Sequence, residues 1–263
     1  MKKFLALLLA LSMLLAFAAC SDSASNGTTD PTTDPTTQST TAATDDATTA
    51  PTTEPTEPED QLAVMTFEEY MAAELQAPVC VETYVQATQS WWDDKITVYC
   101  QGEDGAYFLY ELACSEEDAA KLVPGTKIRV NGYKTEFEGE VEIMDATFEF
   151  IDGESYIPEA LDATALLGTD ELIAHQNEFV YFKGMTVEEI SYKNGEPGDD
   201  IYVTVSKDGQ SYSFCVEIYL TGTETQVYQT VGTLSAGDVV DIEGFLYWYQ
   251  GANPHITSIT VAE

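Results

Sequence analysis

Leu122-Val-Pro-Gly125-Thr-Lys-Ile128-Arg-Val130-Asn-Gly132 returns 112 residues later as Leu234-Ser-Ala-Gly237-Asp-Val-Val240-Asp-Ile242-Glu-Gly244. Both stretches read Leu-x-x-Gly-x-x-(Ile/Val)-x-(Val/Ile)-x-Gly. A long element repeated at that distance points to two copies of one structural unit. The inner Gly suits a tight turn. The aliphatic residues after it recur at every second position, the period of a strand with one buried face. The closing Gly fits a bulge or bend in a strongly curved strand.

Working outward, the surroundings of the two stretches agree. In the first copy, Val79–Thr88 reads as a strand, and Ile96–Gln101 with Ala106–Ala113 as a hairpin around Gly102-Glu-Asp-Gly105. Ser115–Leu122 reads as a helix, with Ser115 as N-cap and acids in the first turn. The Gly-turn strand follows, then Glu140–Phe150. The second copy keeps the order as Glu178–Ile190, Ile201–Ser206, Gln210–Leu220, a segment around Glu224–Val231, Val239–Leu246 and Pro254–Val261. Lys207-Asp208-Gly209 marks its tight hairpin turn. Short helices are expected ahead of each copy, at Thr66-Phe67-Glu68-Glu69-Tyr70-Met71, a capping-box pattern, and at Thr169-Asp170-Glu171-Leu172-Ile173.

Five strands with a helix between the third and fourth, twice over, together with this Gly-bounded element, resemble the OB-fold. The resemblance covers roughly residues 66–152 and 172–263. It implies a mainly β chain with two tandem five-stranded OB-like barrels and short helices; two unrelated β-sandwich modules are the alternative. Closure of a barrel removes exposed sheet edges. The resemblance also implies a place for ligands: the face of strands two and three, between the loop joining strands one and two and the loop joining strands four and five. The first such loop of copy one holds Ser90-Trp91-Trp92-Asp93-Asp94. The later loop of copy two holds Tyr247-Trp248-Tyr249-Gln250-Gly251-Ala252-Asn253-Pro254-His255. All three tryptophans fall on these loops, where an aromatic plane with a polar edge suits stacking on sugars, peptide prolines or bases. The competing reading is that they plug the barrel ends. With Ile96, Val98 and Cys100 facing the core, Thr97 and Tyr99 face outward, and Tyr107, Tyr133 and Phe137 would extend them into an aromatic patch. Candidate ligand-binding residues are therefore Trp91, Trp92, Tyr99, Tyr107, Tyr133, Tyr247, Trp248 and Tyr249.

The N-terminus supplies an address. Lys2 and Lys3 precede an apolar run from Phe4 to Ala19, too short for a membrane span, and Ala18-Ala19 precede Cys20. The pattern resembles the lipobox of bacterial lipoproteins, with Phe17 where Leu usually stands. That resemblance implies that Cys20 carries a diacylglycerol and becomes the mature N-terminus on the outer face of the cell membrane. Residues 21–60 contain fourteen Thr, five Pro and nine acids, without a basic or aromatic residue. Such a segment cannot build a core, and like charges extend it. A disordered stalk is expected, similar to the tethers of Gram-positive surface lipoproteins. The organisation is thus residues 1–20 leader, 21–60 stalk, 61–155 first barrel and 156–263 second barrel.

Charge narrows the partners. The chain has 46 acidic and 10 basic residues, a net charge of −36. The first barrel holds 5 basic and 20 acidic residues, the second 3 and 17. An aromatic OB surface suggests single-stranded nucleic acid, but that recognition also needs a basic groove, so nucleic acid is not expected as a partner. Cys80, Cys100, Cys114 and Cys215 show no C-x-x-C spacing. Buried thiols are expected, with a cross-strand Cys80–Cys100 disulfide as the alternative. No P-loop, G-x-S-x-G, H-E-x-x-H or dinucleotide fingerprint is present. His175 and His255 are expected as surface or capping residues. Asp93-Asp94 and Glu196–Asp200 lack calcium-loop spacing and read as solvated turns. No enzyme, metal or cofactor is expected. The sequence reads as a non-catalytic, lipid-anchored binding module for an extracellular glycan, peptide or protein. An envelope interaction protein without a small ligand, or a cryptic hydrolase, are the alternatives.

Overall fold

The structure, a computed structural model, describes residues 62–262; the leader, Cys20 and the stalk lie outside them. The first element, α1 (Phe67–Ala72), starts at the expected capping box. Thr66 Oγ1 accepts the Glu69 N–H at 3.2 Å while Glu69 Oε2 accepts the Thr66 N–H at 2.9 Å. Two otherwise orphaned donors are satisfied, which fixes the helix start. Tyr70 is buried from this helix, 5.1 Å from the Tyr107 ring.

The first half contains β1 (Pro78–Thr88), β2 (Lys95–Gln101), β3 (Ala106–Ala113), α2 (Glu116–Ala119), β4 (Lys127–Phe137) and β5 (Glu140–Phe150). The strands close into a barrel in the order β1-β2-β3-β5-β4. Only β3 and β5 run parallel, so the chain must cross over between them, and α2 and β4 fill that connection. Ser115 caps α2 and three acids occupy its first turn, as the sequence indicated. The barrel interior is aliphatic, built on Val79, Val81, Val98, Leu109, Ile128, Val130 and Ile143.

The second half contains β6 (Leu161–Asp162), β7 (Phe179–Tyr192), β8 (Ile201–Lys207), β9 (Gln210–Val216), α3 (Ile218–Thr221), α4 (Gln226–Val231), β10 (Val239–Phe245) and β11 (His255–Val261). These strands form one six-stranded sheet in the order β10-β11-β9-β8-β7-β6, with an additional pairing of β10 onto β7. Two short 3-10 turns precede β7, at Thr164–Leu166 and Leu172–His175. Phe182, Phe214, Val203, Ile242 and Ile256 are among the residues of a separate core.

The repeat carries matching backbone geometry in both halves. Gly125 and Gly237 have φ of 87° and 96°, a region open to Gly at little cost. Each donates its N–H at 2.8 Å to the carbonyl of a strand valine, Val85 in one copy and Val187 in the other. Each closing Gly sits at a register shift: Asn131/Tyr133 in the β4–β5 pair, Glu243/Gly244 in the β10–β11 pair. The bulge role read from the sequence therefore holds at both sites.

Two local expectations are corrected. The strand expected over Gln210–Leu220 ends at Val216, because Glu217 acts as N-cap and its Oε2 accepts the Leu220 N–H at 2.7 Å, turning the chain into α3. Thr169 does not cap a helix. Its hydroxyl donates to the Leu166 carbonyl at 2.8 Å, and a 3-10 turn begins three residues later.

Candidate functional site

The described residues belong to one compact unit, and the halves meet along an aromatic seam. Strand β2 explains how. Every residue from Ile96 to Cys100 is buried. Ile96, Val98 and Cys100 face the barrel core, as expected. Tyr99 faces outward, as expected, but it is only 1% exposed, because the second half covers it. Its ring stacks on Phe245 at 4.7 Å and lies near Phe108 at 5.1 Å. Its hydroxyl lies 2.6 Å from His255 Nδ1. Tyr99 is thus a seam residue, and His255 is buried in the same seam rather than lying at the surface.

Polar contacts fasten the seam at three further places. Ser90, in the loop joining β1 to β2, donates its N–H to the Tyr219 carbonyl at 2.7 Å. Gln101 Oε1 accepts the Phe179 N–H at 2.8 Å. The tip between β4 and β5 is gripped by Gln176, which accepts the Val141 N–H and donates to the Gly139 carbonyl. At the same tip Glu140 Oε2 accepts the Trp248 N–H at 2.8 Å. Trp248 packs on the second core and against Gly139, so it is a plug, not an open binding residue.

Tyr107 is also corrected. It lies opposite Cys100 in the ladder and points into the first core, 1% exposed. The outward residues of β3 are its neighbours Phe108 and Tyr110. Alternation counted from Leu109 would have found them; Leu112 returns to the core because the ladder shifts register at Glu111, whose φ is 49°. Tyr133 is 46% exposed, but it lies in neither recess described below.

Two recesses remain open along this side of the molecule. One, of about 560 Å³, lies under the β1–β2 loop and is lined by Trp91, Trp92, Thr97, Tyr110 and Tyr219, among others. Trp92 is 75% exposed there, while Trp91 is half-buried and donates its Nε1–H to the Cys114 carbonyl at 2.8 Å. The other, of about 740 Å³, lies between the halves and is walled by Phe108, Tyr110, Phe137, Tyr247 and Tyr249. Gln89 and Tyr110 line both, so they adjoin. Tyr247 stacks on the His255 ring at 4.3 Å, and Tyr249 is half-exposed beside Phe137.

The cleft is acidic. Glu142, Asp200 and Glu217 line it, and no Lys or Arg does. Asp200 is already paired with Lys193 at 2.9 Å. Burial raises the Glu142 carboxyl and pushes Glu217 up to about 7. His255 is driven the other way, to about 3, because burial disfavours its cationic form. Nothing in the sequence distinguished Glu142 or Glu217 from the other carboxylates.

His175 ends a 3-10 turn and lies 3.1 Å from Glu178, partly exposed. The four described cysteines are free and buried. Cys80 sits opposite Asn131 and Cys100 opposite Val85, so the strand register gives no Cys80–Cys100 bond. Among the described residues, no group of three His, Cys, Asp or Glu side chains is placed to hold a metal ion. No helix among them is long and apolar enough to cross a membrane.

No protein-family model and no curated protein matches the chain. Solved structures give distant likenesses. Asparaginyl-tRNA synthetase from Pyrococcus horikoshii is 19% identical over 33% of this chain, with a TM-score of 0.27, and the match spans 19% of the synthetase. The OBody AM1L10, bound to hen egg-white lysozyme, is 23% identical over 41% of this chain and 99% of its own, with a TM-score of 0.29. The Ifi202 HINa domain, in complex with a 20-bp double-stranded DNA, is 12% identical over 72% of this chain and 97% of its own, with a TM-score of 0.33.

Proposed function

We propose that this chain is a lipid-anchored surface protein that holds an extracellular ligand between two OB-like barrels without altering it. Cys20 would carry the lipid and residues 21–60 would lift the β halves off the membrane. The pairing of β10 onto β7 and the parallel β9–β11 contact support treating the second sheet as a barrel like the first. One observation carries the binding reading: the open recess beneath the β1–β2 loop continues into the aromatic cleft, on the side of the fold where OB-like barrels take ligands. The cleft volume is in the range of small-molecule sites, and an extended glycan or peptide would lie along both recesses.

The test is a fluorescence titration of Trp92 emission with soluble glycans, cell-wall fragments and proline-rich peptides, and with oligonucleotides alongside. A saturable change with one extracellular class, lost in Tyr249→Ala, supports the reading. Saturation with oligonucleotides alone, despite the acidic surface, overturns it. An envelope partner without a small ligand would show as capture of a protein with Trp92 emission unchanged.

A hydrolytic reading has one observation in its favour. Glu142 and Glu217 both line the cleft with raised carboxyl pKa values, a state suited to a general acid. Turnover of a bound glycan or peptide, abolished in Glu217→Gln, would favour it over simple binding.

A further inference from the structure

We propose that the cleft between the two halves recognises a small ligand through an ammonium group, seated among aromatic rings and beside the carboxyls of Glu142 and Glu217. The inference rests on the binding reading above and specifies the chemistry of its ligand.

Three observations converge on a cation. The walls are aromatic on both sides: Phe108, Tyr110 and Phe137 from the first half, Tyr247 and Tyr249 from the second. Aromatic faces present negative potential and attract an organic cation within about 6 Å of the ring centre. The second observation is an imbalance of charge. Glu142 is 5% exposed, and its side-chain partner is the Thr135 hydroxyl at 3.4 Å, a weak contact. Glu217 is held by backbone N–H groups of its own turn. No Lys or Arg lines the cleft beside either. A buried carboxylate without a counter-charge is costly, and burial correspondingly favours the neutral form of both. A ligand cation would supply the missing charge.

The third observation is that the nearest protein cations are already engaged. Lys193 is spent on Asp200, and Lys95, in the adjoining recess, is paired with Glu111 at 2.6 Å. Among the described residues, no Lys or Arg lines the site, and Lys193, which acts on Glu217 only as its smallest influence, is bonded to Asp200. His255, the remaining basic group in the lining, accepts from Tyr99 and stays neutral. A negatively charged ligand would keep both carboxyls protonated, whereas a cation would favour their ionised form and pair with it.

The experiment is a calorimetric titration of the full-length chain with choline and with its neutral isostere, in which carbon replaces the quaternary nitrogen. Choline is expected to bind saturably and at least about tenfold more tightly than the isostere. Glu142→Gln and Glu217→Gln should each weaken choline by about fivefold or more. Ile157→Ala, on an exposed surface outside both recesses, should leave it unchanged. Equal binding of choline and isostere, or no choline binding at about 10 mM, overturns the inference. A neutral glycan arm separates the two levels of argument. Glycan binding that is sensitive to Tyr249→Ala, with choline inert, leaves the binding module standing and removes the cation. Failure of choline, glycans and peptides together removes both.

Discussion

The Tyr99 hydroxyl lies 2.6 Å from His255 Nδ1, tying β2 to β11 across 156 positions of sequence. Gln89 Nε2 donates to the same hydroxyl at 3.2 Å, so the phenolic proton is the one left to point at Nδ1. With the hydroxyl donating to Nδ1, His255 carries its proton on Nε2, and burial keeps the ring neutral. Tyr247 covers one face of its ring, and Tyr99 meets it edge-on. The bond thus orders one wall of the cleft as well as joining the halves.

Tyr99→Phe should destabilise the chain by about 1–3 kcal/mol, because it leaves the buried His255 acceptor unpaired and takes a partner from the half-buried Gln89 amide. Urea unfolding of the variant and parent checks this. A loss under about 0.5 kcal/mol would mean that the hydroxyl is replaceable by solvent.

Phe245→Ala tests the seam as a unit. Phe245 contacts Tyr99 at 4.7 Å and Phe179 at 5.4 Å, so its removal opens a cavity between the halves and not within either core. A cost of about 3–5 kcal/mol is expected. Scanning calorimetry should show one transition for the parent and two for the variant, as each half then melts on its own core.

The closing glycines of the repeat give a prediction that needs no ligand. A Cβ on Gly132 would stand 2.6 Å from Ile143 Cγ2 and 2.9 Å from the Met144 carbonyl oxygen, and one on Gly244 would overlap the backbone carbonyl of His255. Backbone cannot step aside by changing rotamer. Gly132→Ala and Gly244→Ala should each cost about 2 kcal/mol or more. Gly153→Ala meets only the flexible Lys127 stem and should be near neutral. Thermal midpoints of the three variants decide the matter.

These glycines also show why so much of the fold could be read early. The turn at Gly125 and Gly237, the bulges at Gly132 and Gly244 and the Thr66 cap are set by backbone geometry within a few residues, which sequence records directly. The seam is different. Tyr99 was correctly placed on the outward face of β2, yet an aromatic surface kept for a ligand and one covered by a neighbouring domain have the same composition. His255 and Trp248 belong to the same class, since each lies on a loop or strand end whose surroundings come from the other half or its far edge. Tyr107 was a register error, not an environmental one. Glu217 was read as strand because its capping role depends on an α-turn that follows a β-rich stretch.

Trp92 and Trp248 should behave oppositely when removed. Trp92 is 75% exposed, so Trp92→Ala should change stability by less than about 0.5 kcal/mol and remove most of the iodide-quenchable emission. Trp248 fills space beside Gly139 and against the second core, so Trp248→Ala should cost about 2 kcal/mol or more. Quenching that survives in Trp92→Ala would show that another tryptophan is solvent-facing.

Glu140 gives the pH dependence of the seam. It is fully buried at the β4–β5 tip; burial pushes its pKa up to about 8, and Oε1 has no hydrogen-bond partner among the described residues. Asn177 reaches the same carboxyl and offsets part of that rise, and its Oδ1 is also unpartnered. Glu142 and Tyr70 face the same group, and no cation does. The native state therefore holds this proton more tightly than the unfolded chain, whose carboxyl titrates near 4.5. Stability contributed here is whole below 4.5 and declines by about 1.4 kcal/mol per pH unit as pH rises toward 8. His255 imposes the opposite limb: its native pKa lies below the ordinary 6.5, so its contribution is lost as pH falls from 6.5 toward 3. Between 4.5 and 6.5 the two slopes oppose each other. Glu140→Gln should thus raise stability at pH 8 relative to the parent by more than it does at pH 5, with the difference growing across the interval. A difference independent of pH, measured by urea unfolding at both values, would place a permanently charged carboxylate in the seam.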